Sequence, residues 1–169
     1  MNKVYGLFLE FSYVREDRTR IVVSYNLEQL EDGVHATWNE IYFYKKQHPV
    51  ITLQDVKDAI IGEINTAIEE KIKSGFEWKD NPVWLSIENQ FDFKAAYDLA
   101  VQTKGKSLPV TLKLGETTDG ESVYHIFDEL KEFTDFYTKF MAFINTCLAE
   151  GRKIKDAIEW ENYKTDKIQ

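Results

Sequence analysis

Glu88 and Asp92 sit four residues apart at the start of a helical stretch, and a pair of carboxylates at that spacing could serve one cleft as general acid and base. The same pair also compensates the positive end of a helix dipole, and that is the expected role. Glu116, Asp119 and Glu121 crowd a glycine turn and could touch a cation. They lack the alternate-residue spacing of a calcium loop, so a solvated hairpin tip is expected there. His35, His48 and His125 lie far apart in different elements and assemble no tetrahedral ligand set. Cys147 falls on the apolar stripe of the last helix, where a free cysteine behaves as a small hydrophobe. No phosphate-cradling loop, dinucleotide fingerprint or paired-cysteine motif occurs. The expectation is a protein without catalytic residues, metal or cofactor, and not an enzyme.

The elements that would carry these groups can be read from hydrophobic periodicity. VYGLFLEF, TRIVVSY and ATWNEIYFYKK are rich in β-branched and aromatic residues and read as three strands of an antiparallel meander, with VREDR as a polar connection. Pro49 cannot continue a ladder, which sets a boundary between a β-meander over 1–48, serving attachment or oligomerisation, and an α+β domain over 49–169. Thr52 with Asp55 resembles a capping box. The helix that follows carries Leu53, Val56, Ile60, Ile64 and Ile68 at helical spacing and ends at Gly75, expected in the left-handed conformation. KDNP then turns a short hairpin whose Trp78 and Trp84 are expected to fill a core rather than a ligand platform. Ser86 supplies the N-cap oxygen of a second helix. LPVTLKLG and ESVYHIF pair across a TTDG turn, and a final helix runs from Asp128 to Gly151. The order after Pro49 is α-ββ-α-ββ-α, which implies an antiparallel sheet packed on helices. The last helix is apolar around more than one face, so Phe136, Phe140 and Phe143 are candidates for a core or for a self-association seam.

Composition bounds the partners. A net charge of −8, spread along the 169 residues, argues against a general nucleic-acid binder. No stretch is long and apolar enough for a membrane span, and a single cysteine rules out an intrachain disulfide, so a cytoplasmic protein is expected.

The stretch GFEWKDNPVWLSIENQF, with its WLS-x-E core at Trp84–Glu88, resembles an uncharacterised domain-of-unknown-function family of phage and prophage proteins, often encoded near tail genes of gut bacteria. The resemblance covers about residues 60–160, and this chain has Gln90 where the family often carries a basic residue. It implies a non-enzymatic structural or assembly role associated with phage tails, made in the bacterial host and with a place in the virion left open. The partners would be tail components or further copies of the chain, as a homo-oligomer. Two rival readings accompany it: an acidic DNA mimic that inhibits a host nuclease, and a glycan or receptor binder lined by aromatics.

Overall fold

The structure, a computed structural model, describes residues 2–117, 119–166 and 168. The fold is α+β, with antiparallel sheets and three α-helices among the described residues. The chain divides into two compact units, one of Met1–Ala67 with Gly151–Gln169 and the other of Ile68–Glu150. The two cuts, after Ala67 and after Glu150, each fall inside an α-helix.

In the first unit, β1 (Asn2–Leu7), β2 (Val14–Glu16), β3 (Arg20–Gln29) and β4 (His35–Tyr44) form one sheet in the order β1-β4-β3-β2. This corrects the three-stranded meander. β1 pairs with β4 and not with its sequence neighbour, and the VRE of the presumed connection is itself an edge strand paired to β3. A three-residue strand has no periodicity to read, and only its partner makes it a strand. β3 and β4 stay in register until a slip between Tyr25 and Glu28, where Asn26 takes a left-handed φ of 55°. Ile21, Val23, Tyr25 and Phe43 are buried on one face of this pair.

α1 (Leu53–Ser74) opens with the expected capping box: the Thr52 amide donates to Asp55 Oδ2 at 2.8 Å, and the Asp55 amide to Thr52 Oγ1 at 3.2 Å. Its Val56, Ile60 and Ile64 are buried at intervals of four. The tail turn Trp160–Tyr163 is tied to β3 by the Tyr163 hydroxyl, which donates to the Ser24 carbonyl at 3.0 Å.

In the second unit, β5 (Phe76–Trp78) and β6 (Asn81–Val83) make the short hairpin. Its two central residues, Lys79 and Asp80, both have positive φ, at 50° and 60°. That is a type I′ turn, whose twist matches the flanking strands. α2 (Ile87–Gln102) follows, then the hairpin of β7 (Val110–Glu116) and β8 (Ser122–Phe127), then α3 (Leu130–Asp156). The TTDG turn between β7 and β8 includes Thr118, which lies outside the described residues. α3 starts two residues after the proposed Asp128 cap and runs through Gly151 for five further residues. Trp78, Val83, Leu85, Phe93, Leu114, Phe127, Phe133, Phe136 and Phe140 share one buried cluster. Gly75 is not left-handed. A Cβ there would lie 2.5 Å from the Lys71 carbonyl oxygen and 3.2 Å from Phe143 Cζ, so the site needs glycine for close approach.

Candidate functional site

The WLS-x-E stretch lies where the two hairpins of the second unit meet α2. The Trp84 amide donates to the Leu114 carbonyl at 2.7 Å, so the chain leaving β6 is bonded directly to β7. Gly115 permits this: a Cβ there would sit 2.9 Å from the Pro82 carbonyl oxygen and 3.3 Å from the Trp84 nitrogen. Ser86 Oγ accepts the Asn89 amide at 3.2 Å as the N-cap of α2, and Asn89 Nδ2 donates back to the Trp84 carbonyl at 2.8 Å. Gln90 Nε2 closes the same turn on the Leu85 carbonyl at 2.7 Å. These bonds hold the backbone on either side of Trp84 rigidly.

The result is a cleft of about 220 Å3 lined by Trp84, Ser86, Glu88, Asn89, Lys113, Gly115 and Glu116. Trp84 is 44% exposed, and Lys73 Nζ lies over its ring at 4.7 Å from the centroid. Lys113 Nζ donates to Glu116 Oε1 at 2.7 Å, which raises the lysine pKa. Beside the cleft, Ile87 and Phe91 stand on one face of α2 at 87% and 71% exposure.

Two other polar groups are chemically capable but occupied by neighbours. Glu40, 3% exposed, takes Arg15 Nη2 at 2.6 Å and Trp38 Nε1 at 3.0 Å on one carboxylate oxygen, and the Tyr42 hydroxyl at 2.9 Å on the other. Burial pushes its pKa up, and the three donors outweigh burial and leave it lowered. His125 Nε2 lies 3.1 Å from Glu132 Oε1, with the His125 ring edge-on to Trp78. Lys79 donates to the same Glu132 oxygen and is the main reason its pKa falls. Asp135 is lowered by Lys139 first, then by the Trp78 indole, whose Nε1 donates at 3.2 Å.

The sequence-derived candidates separate. Trp78, Phe136 and Phe140 are buried, and Phe136 packs at 5.1 Å on Trp78, 5.2 Å on Phe93 and 5.4 Å on Phe140. Phe136 and Phe140 therefore offer a second copy no surface. Phe143 is half-buried against Phe76 at 5.5 Å. Ser86 caps as expected, whereas Trp84 is half-exposed and does not fill the core. Glu88 lines the cleft, and both it and Asp92 are exposed. Among the described residues no group of histidine, cysteine or carboxylate side chains could hold a metal ion. Also among them, no helix is long and apolar enough to cross a membrane.

Ile87, Phe91 and Glu40 were missed by sequence reasoning. For Glu40 the signal was parity, since it shares a strand face with Trp38 and Tyr42, and for Ile87 and Phe91 it was their spacing of four on one helix. No family model, curated protein or solved structure matches the chain.

Proposed function

We propose that the chain is a non-enzymatic protein–protein interaction module whose docking face is the start of α2. One observation carries this reading: Ile87 and Phe91, two large apolar side chains one helical turn apart, stand in solvent at 87% and 71% exposure. Keeping such side chains in water has no folding benefit, and clustered exposed apolar surface marks interaction sites. The self-association seam expected on α3 moves accordingly to α2, and the first partner to test is a second copy of the chain. A phage-tail assembly role, implied by WLS-x-E, is compatible with such a face and rests on that stretch. A DNA mimic is less well supported, because Asp17, Asp98, Glu116, Asp135 and Glu150 are each paired with a lysine or arginine.

Sedimentation velocity on the purified protein tests the reading. Wild type is expected to show a concentration-dependent dimer, and the double variant Ile87→Lys, Phe91→Lys a monomer with an unchanged melting temperature. A wild type that stays monomeric at all concentrations, or a dimer untouched by the double variant, removes self-association through this face.

A further inference from the structure

The cleft beside this face has a chemistry of its own, and the geometry points to an uncharged saccharide ring as its ligand. The inference does not depend on self-association through Ile87 and Phe91, neither of which lines the cleft.

Charge decides the ligand class first. Lys113 and Glu116 in the wall offset each other as an ion pair, and Glu88, without a cationic partner among the described residues, disfavours an anion such as phosphate or carboxylate. Lys73 over the Trp84 ring disfavours a cation there, although an exposed indole would otherwise attract one. A neutral ligand remains. At about 220 Å3 the cleft falls below the range of drug-sized pockets, and it suits one ring with its substituents in solvent.

The wall then selects among neutral rings. A carboxylate accepts hydrogen bonds and donates none, so Glu88 and Glu116 call for a ligand rich in hydroxyl donors. Glu88 makes no hydrogen bond or ion pair to another described side chain, and its acceptor oxygens are available. The Ser86 hydroxyl accepts from Asn89 and still has its own proton to give. Lys73 Nζ already sits over the Trp84 ring, so the half-exposed indole offers the C–H groups of a pyranose only the apolar surface that the lysine leaves uncovered. An aromatic wall flanked by acceptor carboxylates and a hydroxyl is complementary to a sugar, apolar on its C–H face and polar around its rim. The wall is also preorganised, since the Trp84 amide and carbonyl are both fixed by hydrogen bonds to Leu114 and Asn89.

Saturation-transfer difference NMR on the full chain, with the methyl glycosides of glucose, galactose, mannose and N-acetylglucosamine as probes, tests this. Transfer to the ring C–H protons of at least one glycoside is expected. It should be lost in Trp84→Ala, retained in Trp84→Phe, and weakened about tenfold in affinity by Glu88→Gln. A proton–nitrogen correlation spectrum confirms the fold of each variant, and Glu88→Gln, exposed and isosteric, keeps the test valid if Trp84→Ala unfolds. No transfer to any of the four, transfer that survives in both Trp84→Ala and Glu88→Gln, or binding of free indole with no glycoside overturns the inference. Sedimentation of the same variants separates this outcome from the docking reading, because Glu88→Gln leaves Ile87 and Phe91 in place.

Discussion

Arg15 on the edge strand β2 reaches Glu40 of β4 across the intervening β3, and its Nη2 donates to Glu40 Oε1 at 2.6 Å. The register explains the reach: Arg15 is opposite Val22, which is opposite Tyr42, and Tyr42 lies one pleat from Glu40 on the same face. Glu40→Ala strands the Trp38 and Tyr42 donors and leaves Arg15 unpaired, and it should cost about 3 kcal/mol. Arg15→Ala removes a half-exposed partner and leaves Glu40 two donors, so about 1 kcal/mol is expected. Urea unfolding of the two variants gives the order, and an equal loss would show that Arg15 carries the network.

The same carboxylate sets a pH dependence. Its folded pKa is lowered, so its stabilisation is fully present above the ordinary glutamate value and is lost as pH falls through the folded one. The stability gap between wild type and Glu40→Gln is therefore expected to be large at pH 7 and smaller at about pH 3, below the ordinary glutamate value. Urea midpoints at both values check it, and a gap that widens in acid would contradict the ionised assignment.

How far the sequence reads depends on the range of the interaction. The Thr52–Asp55 capping box and the Ser86 cap were legible because cap and acceptor lie within one turn of chain. The KDNP hairpin was legible for the same reason. β2 and the β1–β4 pairing were not, because each depends on a partner remote in sequence. The candidate site was half legible. Its motif and dense aromatics pointed to Trp84 as a platform, while a hairpin face shared with Trp78 argued for burial; in the structure Trp84 alternates with the buried Val83 and Leu85 and lies on the outer side. On α3 the stripe was read as wide enough for a seam. Phe136 and Phe140 are in fact consumed by Trp78, Phe93 and Phe127, contributed from a hairpin, a helix and a strand.

The cap itself gives a local test. Ser86→Ala removes the oxygen that accepts the Asn89 amide, and a loss of about 1 kcal/mol is expected. Ser86→Asp should restore most of it, since a carboxylate at the N-cap also complements the helix dipole. Denaturation midpoints for the pair check this, and an Asp variant no better than Ala would show that the hydroxyl acts elsewhere.

Phe136 and Phe91 should respond in opposite ways to truncation. Phe136 has no exposed surface and packs among aromatic rings, so Phe136→Ala leaves a cavity and should cost about 3–5 kcal/mol. Phe91→Ala removes a side chain already in solvent and should change stability by less than about 0.5 kcal/mol. Calorimetry on dilute protein, where association is suppressed, separates them, and a large loss from Phe91→Ala would mean that it is buried in solution.

The hairpin turn offers a gain. Lys79 and Asp80 both hold positive φ, a region that side chains with a Cβ enter at a cost. Lys79 also donates to Glu132, so replacing it would disturb a second interaction. Asp80→Gly removes strain at the other turn position alone. The entropy that glycine adds to the unfolded chain offsets part of the benefit, which leaves about 0.5 kcal/mol of net stabilisation. The measurement is the melting temperature of Asp80→Gly beside Asp80→Ala. Glycine should raise it and alanine lower it, and the reverse order would mean that the type I′ turn is not the solution conformation.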